Sequence, residues 1–460
     1  MRLVHLAAAF LVIALTSDLA GQSNPARTRE PDGRTFSMAL TGDSIITRRL
    51  AIYSEPAFLQ LFDIIRRADV AFTNLEMLFH DYEPYPMNQS GGTYMRADPA
   101  LVRDLVWAGF DMVSRANNHT GDYGVEGMRL TTRHVADAGL VQAGVGESLE
   151  QAREAKFLET PNGRVALVSV ASTFPDHSRA SSSRGDMPAR PGLNPLRFTT
   201  TYVLPSDRLE ALRETAKRLR FSVTPAGEPF GLLGARFVRG DAPAVLTAPD
   251  EEDVKAIAAV VHNASRLADY TIVTIHAHER GETNFVPADF LPAFARAMID
   301  AGATVFVGHG PHVLRGIEMY KGRPVFYSLG DFIFQNETLL RLPAENYDTY
   351  KLGAEAHVAD FNDARYDFDK RGFPAQREIW EAVVAAPRWR DGTLEELTLH
   401  PISLGFGKPP AERGRPQLAQ GDVARKIIDD VARFSKPFGT TVVFDNGVGR
   451  VRLPAASSSR

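Results

Sequence analysis

The chain has no cysteine among its 460 residues. This absence excludes disulfide bonds, thiolate metal sites and a lipid-modified cysteine near the N-terminus. A metal ion would have to be bound by histidine, aspartate, asparagine or glutamate side chains, and such ligands suit zinc, iron or manganese. Clusters of those four residue types are therefore the places where a metal site is expected.

The chain also lacks an excess of charge and a long apolar run. Its 52 basic and 56 acidic side chains give a net charge of −4, which predicts no nucleic-acid partner. The apolar run Leu3–Leu15 is too short to span a bilayer comfortably, and no later stretch is long and apolar enough to do so. The composition, with 44% hydrophobic and 23% charged residues, is that of a globular protein.

The N-terminus has the pattern of a secretory signal peptide. Arg2 precedes the apolar run, and small and polar residues follow it up to Ala20. We therefore predict a signal peptide over residues 1–20, a flexible leader over 21–34, and an exported protein that is periplasmic or extracellular. The alternative reading of the same residues is an N-terminal core helix.

Short apolar strands alternate with amphipathic helices over residues 35–340, which is the pattern of an α/β fold. The predicted strands are Thr35–Leu40, Asp69–Phe72, Phe110–Ser114, Val165–Val170, Tyr270–Ile275, Ala303–Val307 and Pro324–Leu329. Residues 175–250 interrupt the pattern as an inserted loop region rich in Ser, Pro, Arg and Gly, with one helix at 206–219. An irregular connection over 341–375 and a C-terminal segment over 376–455, packing on the core, complete the predicted organisation.

Polar residues of the metal-ligand type stand at five predicted strand ends. They are Asp43, Asn74 with Glu76, Asn118 with His119, His276 with His278, and His309 with His312. Ligands in open α/β sheets bind beyond the carboxyl ends of the strands. Each pair alone is more often a capped turn or a hydrogen-bonded surface group. Five in succession favour a shared cation, because converging buried polar side chains need partners.

The order of these motifs resembles the CapA/PgsA family, bacterial capsule and poly-gamma-glutamate biosynthesis proteins with a calcineurin-like metallophosphoesterase fold. The resemblance covers residues 35–340 and the Arg190–Arg197 stretch, and it extends to the C-terminal segment. It rests on Gly42-Asp43, Asn74-Leu75-Glu76, Asn117-Asn118-His119, His276-Ala277-His278-Glu279, Gly308-His309-Gly310-Pro311-His312, and a strand that ends in Gly330-Asp331. It implies a metallophosphoesterase-like four-layer αββα sandwich with the ligands in the loops at one edge.

The resemblance also implies roles for single residues. It implies one or two divalent metal ions, manganese, zinc or iron, held by Asp43, Glu76, Asn118, His276, His309 and His312. His119 would be the catalytic residue, protonating a leaving group or binding an oxyanion. The residues expected to touch substrate or to support the ligands are Asn74, Arg115, Asp122, His278, Glu279 and Arg315.

Three positions qualify these expectations. Ile45 stands where the wider superfamily has a histidine ligand. Asp331 is predicted to cap a turn and not to bind metal. For Arg115 and Arg315, predicted to hold an anionic substrate, a solvated surface arginine is an equal alternative.

Two functions follow from the pattern. The first is a metal-dependent hydrolase or transferase that acts on an anionic envelope polymer or its phosphorylated precursor, with membrane-bound polymer synthesis proteins as partners. The alternative is a non-catalytic accessory protein that binds poly-gamma-glutamate through the arginine-rich excursion, at Arg179, Arg184, Arg190 and Arg197. A peptidoglycan amidase is a third, weaker possibility that the sequence does not separate from the first.

Overall fold

The computed structural model describes residues 35–223 and 229–453, so the predicted signal peptide and leader lie outside the described residues. The larger of its two main sheets has ten strands. Its parallel half consists of Thr35–Ile45, Val70–Leu75, Met112–Ser114 and Val141–Ala143, with Asp331–Phe334 alongside the end of the first strand. Its antiparallel half comes from the C-terminal segment: Glu381–Arg390, Thr393–Ser403, Gln417–Leu418, Val442–Asp445 and Val448–Val451.

The second main sheet has six strands. Its parallel strands are Gly163–Ala171, Tyr270–His276, Val305–His309 and Arg323–Phe326, with Lys156–Thr160 and Ile317–Tyr320 antiparallel at its two edges. Two-stranded pairs are formed by Leu78–Phe79 with Arg96–Ala97 and by Val145–Gly146 with Gly192–Leu193.

The two sheets face each other across one apolar core. Alternate residues of the first strand, Phe36, Met38 and Leu40, share this core with Ile272 and Val307 of the second sheet. The residues between them point the other way, because side chains alternate faces along a strand. Strand alternation therefore determines which side chains lie between the sheets.

Helices cover the outer face of each sheet. Pro56–Arg67 buries Phe58, Leu61, Phe62 and Ile65, the spacing of one helix face, in a core outside the larger sheet. Glu251–Leu267 and Phe290–Asp300 do the same on the smaller sheet. Further helices are Val102–Ala108, Gly124–Asp137, Leu149–Arg153 and Gly421–Ser435, with short 3₁₀ turns at Pro99–Leu101, Asp176–Ser178, Asn336–Thr338, Phe373–Ala375, Arg377–Trp380 and Lys436–Phe438. The predicted α/β class is confirmed by this mixture of sheets and helices.

Two regions that were predicted to be largely irregular are folded, and the one helix predicted in the excursion, at 206–219, is present as Ser206–Arg218. Within the inserted excursion, the strands Phe198–Leu204, Phe230–Leu232, Ala235–Arg239 and Ala244–Pro249 form a four-stranded sheet, which packs on the helix Ser206–Arg218. We call residues 198–249 the side lobe; its small core contains Leu209, Ala216 and Phe230. The 341–375 connection forms the helices Ala344–Thr349 and Val358–Tyr366. Across the described ranges, no helix combines the length and apolarity needed to cross a membrane.

Candidate metal centre

The centre continues the alternation of the inter-sheet core. Asn74 follows Val70 and Phe72 at every second position, so it lies on the same inner face of its strand. The same period places His276 and His309 on the inner face of the second sheet, where they are register partners. Asn74 Nδ2 lies 3.4 Å from His276 Nδ1, so the two sheets converge at this edge. The predicted ligands His276 and His309 are therefore the last residues of their strands and do not lie in the loops beyond them.

A bulge turns Asp43 into the centre. The register between the first two strands shifts between Leu40 and Asp43, so the chain gains one residue there and Asp43 changes face. Its Oδ1 accepts a hydrogen bond from Asn74 Nδ2 at 2.7 Å, and its Oδ2 accepts one from the Gly310 amide at 2.9 Å. Burial alone would raise the pKa of Asp43, but the hydrogen bond and charge of His309, with other histidines, hold it well below the ordinary value.

Three histidines of the centre contact one another. His276 Nε2 lies 2.9 Å from His278 Nε2, and His276 Nδ1 lies 3.1 Å from His309 Nδ1. Burial, followed by the charge of neighbouring histidines, holds the pKa of His276 well below its usual value and lowers the pKa of His278 to about 3. These two imidazoles are therefore neutral at physiological pH, which is the form that binds metal.

Glu76 has a fully buried carboxylate, and neither of its oxygens has a hydrogen-bond partner among the described residues. Its Oε1 faces imidazole nitrogens at 3.7 Å in His119 and at 3.9 Å in both His276 and His312. Burial, reinforced by the negative charges of Asp43 and Asp331, raises the pKa of Glu76 well above its usual value. A bound cation would supply the partner that this carboxylate lacks.

The residues present fit a divalent cation. Three sets of side chains bring one ligand atom each to within 4.8 Å of one another: Asp43 with His276 and His309; Glu76 with His276 and His278; Asp43 with Glu76 and His312. Asn118 Oδ1 is buried without a partner, while its Nδ2 donates to the Gly91 carbonyl, so the amide leaves an oxygen for a ligand. Nitrogen and oxygen donors of this kind suit zinc, iron or manganese.

His119 is fixed beside Glu76 by Asp122. His119 Nδ1 lies 2.7 Å from Asp122 Oδ2, and the same carboxylate accepts backbone N–H groups from Gly91 and Met95 at 2.8 Å. The ring therefore presents its Nε2 to the centre. This is the arrangement that a proton donor needs, with one nitrogen held and the other directed at the reaction site.

Asp331 takes part in the centre and does not merely cap a turn, so the prediction for this residue is corrected. It is fully buried at the start of a strand, and its Oδ1 lies 2.8 Å from His312 Nδ1. Its other oxygen has no hydrogen-bond partner in the part of the chain that the structure describes. Burial raises the pKa of Asp331 to about 7 against the opposing effect of His312. In the sequence Asp331 follows the predicted strand Pro324–Leu329, and this position was the signal that could have identified it.

The other predicted residues have protein partners. Glu279 accepts hydrogen bonds from Ser172 and Thr173 at 2.7 and 2.8 Å. Arg315 donates to the carbonyls of Asn284 and His278, and Arg115 donates to Gln142. Burial lowers the pKa of Arg315 to about 10 and that of Arg115 to about 9. Both arginines are buried, so the surface alternative is wrong, and an anion-binding role stays a prediction without a contact that supports it.

Sequence reasoning missed residues that hold the ligands in place. Asn117 Nδ2 donates to the Leu75 carbonyl at 2.8 Å, and Asn117 Oδ1 accepts the His119 amide at 3.1 Å. Thr274 Oγ1 lies 2.7 Å from His309 Nε2. The alternation of the strand was a usable signal for Thr274, because it stands two residues before His276. Ile45 is buried in the core between the larger sheet and its helices, on the other face of that sheet.

Comparison with known proteins gives a family and relatives. A family model described as bacterial capsule synthesis protein PGA_cap matches residues 37–336. The uncharacterized protein y4sH of Sinorhizobium fredii is 40% identical over 91% of this chain and 93% of that protein. The PGA biosynthesis protein CapA of Bacillus subtilis is 26% identical over 68% and 67%, and the capsule biosynthesis protein CapA of Bacillus anthracis is 25% identical over 67% and 62%. The structure of Haemophilus influenzae NAD nucleotidase covers 86% of this chain and 55% of that one at 10% identity, and its TM-score of 0.29 supports no inference.

Proposed function

The chain belongs to the PGA_cap family of bacterial capsule synthesis proteins, and we propose that it is an exported, metal-dependent hydrolase or transferase acting on an anionic envelope polymer or its phosphorylated precursor. Two relatives are named for PGA and capsule biosynthesis, which supports a polymer of this kind as the substrate. The two facing sheets, covered by helices, support a metallophosphoesterase-like sandwich as the scaffold. One or two divalent ions are the proposed cofactor.

The observation that carries the proposal is Glu76. A carboxylate that is 0% exposed and has no hydrogen-bond partner is costly unless it is protonated or paired with a cation. The groups around it are imidazoles and the carboxylates of Asp43 and Asp331, which are side chains that can bind a cation. A cation satisfies Glu76 and its neighbours together.

The protein's own residues then have defined tasks. A divalent ion held at this edge would polarise a phosphoryl or carbonyl group and activate water. Asn74 and the Gly310 amide fix both oxygens of Asp43. His119, oriented by Asp122, gives a proton to the leaving group or donates a hydrogen bond to the developing oxyanion from Nε2.

Elemental analysis of the purified chain tests the proposal. Wild-type protein is expected to contain manganese, zinc or iron, and Glu76→Gln is expected to lose metal affinity by more than about 10-fold, since loss of an outer partner alone costs about 10- to 100-fold. Glu318→Gln is the matched control. Glu318 is also buried, but Arg296 and Tyr327 bond to it. Equal metal content in the two variants would contradict the proposed centre.

His119→Gln separates catalysis from binding. It is expected to keep the metal and to lower cleavage of a phosphodiester or a gamma-glutamyl amide by about 10²- to 10⁴-fold. Cleavage at the wild-type rate would remove the enzyme proposal.

A non-catalytic accessory role is the second candidate. Ile45, buried in the outer core, leaves the centre with one imidazole fewer than the superfamily pattern implies. The arginine-rich excursion supports this role only weakly, because Arg184 pairs with Asp186 and Arg197 pairs with Asp253. Polymer binding that survives in His119→Gln, with no cleavage by wild type, is the outcome expected for this candidate.

A further inference from the structure

The segment 341–375 forms one wall beside the metal centre. The Phe373 ring lies 5.5 Å from the His312 ring and 5.3 Å from the Phe334 ring, measured between centroids. The wall therefore contacts the predicted ligand His312 through the ring of Phe373. The segment lies beyond residues 37–336, so the family match does not cover it.

The same wall reaches the other side of the centre through Arg365. Its guanidinium donates a hydrogen bond to Thr93 Oγ1. The adjacent residue, Gly92, lies so close to His119 that a Cβ there would be 3.8 Å from the imidazole Cε1. Arg365 is thus linked to both sides of the centre: through Phe373 to His312 and through the Thr93 loop to His119.

A cavity of about 380 Å³ opens along this wall, and we call it the arginine pocket. It is lined by Tyr350, Arg365, Tyr366, Arg371, Gly372 and Phe373. The Arg365 guanidinium carbon lies 5.1 Å from the centre of the Tyr366 ring and 5.9 Å from that of Phe373. Arg371 donates hydrogen bonds to the backbone carbonyls of Ala364 and Arg365. These bonds order its side chain beside the end of the helix Val358–Tyr366.

Neither arginine has a carboxylate partner within the described ranges, although acidic residues are close in sequence. Asp369 is paired with Arg413, and Asp360 accepts the His357 amide at the start of the helix. The positive charge of the pocket is therefore not cancelled by these neighbours. Guanidinium groups held against aromatic rings pair well with carboxylates, because less conformational freedom remains to be lost.

We propose that the arginine pocket binds a carboxylate of a glutamyl-type acidic polymer and so positions the neighbouring bond at the metal centre. The inference rests on the proposed function, since it names the substrate group that the same site would take. Arg371 already donates two hydrogen bonds to backbone carbonyls, so Arg365 is the main donor that remains for a ligand. For this reason a carboxylate fits the pocket better than a phosphate does. A carboxylate needs only the pair of donors that one guanidinium presents.

Binding of fluorescently labelled poly-gamma-glutamate to the full chain tests the inference. Arg365→Gln is expected to weaken binding by about 10-fold or more, Arg365→Lys by less, because lysine keeps the charge but loses the planar donor pair. Metal content should not change in either variant. Arg425→Gln is the matched control: this arginine also lies over an aromatic ring, Phe444 at 4.4 Å, but on the C-terminal helix.

The competing outcomes are distinct. Displacement of the polymer by glutarate supports a carboxylate site, whereas displacement by inorganic phosphate and not by glutarate overturns it. Wild-type affinity in Arg365→Gln, or no polymer binding by wild type, also overturns the inference. If wild type contains no metal and shows no cleavage, but Arg365→Gln still loses polymer binding, the inference about the arginine pocket stands and only the enzyme proposal is rejected. Thermal melting of each variant shows whether a loss of binding is a loss of fold.

Discussion

Gly91 has no side chain, and the backbone of Asn118 occupies the space that one would need. A Cβ on Gly91 would lie 2.5 Å from the Asn118 carbonyl oxygen and 2.6 Å from its carbon. The Gly91 amide donates a hydrogen bond to the Asp122 carboxylate, and the Gly91 carbonyl accepts one from the Asn118 side chain. This one glycine therefore positions a predicted ligand and the partner of His119 together.

Gly91→Ala is predicted to damage the centre without touching a ligand. The methyl group must push the Asn118 backbone away, because neither atom it meets belongs to a flexible side chain. Metal affinity is expected to fall by about 10- to 100-fold, as for loss of a supporting partner, and can be measured by chelator competition. Gly353→Ala is the control, since nothing lies within 4 Å of a Cβ there. Equal affinity in both variants would show that Asn118 does not depend on Gly91.

At the scale of single residues, the sequence identified those positions whose residue type is itself typical of a metal ligand. The closeness of Asp43, Glu76 and three histidines was inferred from residue type and strand position. Gly91 and Thr274 were not found, because their role depends on which backbone or ring is opposite them in space. Asp331 was undervalued because a Gly-Asp pair is a common turn, and only burial beside His312 distinguishes it.

Sequence reasoning placed the C-terminal ends of three strands several residues or one residue too early in the chain. Thr35–Ile45, Val70–Leu75 and Tyr270–His276 all run past the predicted ends, because their last inner-face residues are polar and look like the start of a loop. In the structure those polar groups are buried and bonded to one another across two sheets. A strand whose inner face changes from apolar to polar is therefore still a strand when a site lies at its end.

Arg413 ties together elements that are distant in sequence. Its buried guanidinium bonds both oxygens of Glu337 in the Asn336–Thr338 turn and both oxygens of Asp369, and it lies over the Trp380 ring at 5.3 Å. Burial alone would lower the pKa of Arg413, but these carboxylates raise it above its usual value. The Arg413 guanidinium is therefore charged at every working pH.

Arg413→Met is predicted to lower the free energy of unfolding by about 3–5 kcal/mol, because it leaves the Glu337 carboxylate buried without its counter-charge. Urea unfolding followed by circular dichroism measures the change. Arg450→Met is the comparison: Arg450 also pairs with two carboxylates, Glu396 and Asp445, but its side chain is 50% exposed. Its replacement should lower the free energy of unfolding far less, because exposed ion pairs contribute little to stability. Similar losses in the two variants would mean that Arg413 contributes no more than a surface ion pair.

At the scale of the whole molecule, the side lobe is attached at a narrow base. Phe198 and Thr199 pair with Pro249 and Ala248, so the chain enters and leaves the lobe at neighbouring positions. The lobe has its own small core, apart from the three cores that hold the two main sheets. Its helix was predicted, but its strands were not, because they are short, largely exposed and rich in threonine, arginine and alanine. A sheet with little burial leaves little hydrophobic period to detect.

Replacing residues 200–247 with Asn-Gly is therefore predicted to leave the main fold and the metal centre intact. Thr199 and Ala248 are antiparallel partners, so a two-residue turn can join them. The Phe198–Phe290 stack at 4.6 Å remains, while the Phe290 amide loses its Thr247 acceptor at a cost of about 1–3 kcal/mol. Metal content should equal that of wild type, and Thr247→Ala in the full chain measures the lost hydrogen bond separately. Loss of metal in the shortened chain, with Thr247→Ala unaffected, would show that the lobe supports the centre through contacts other than this bond.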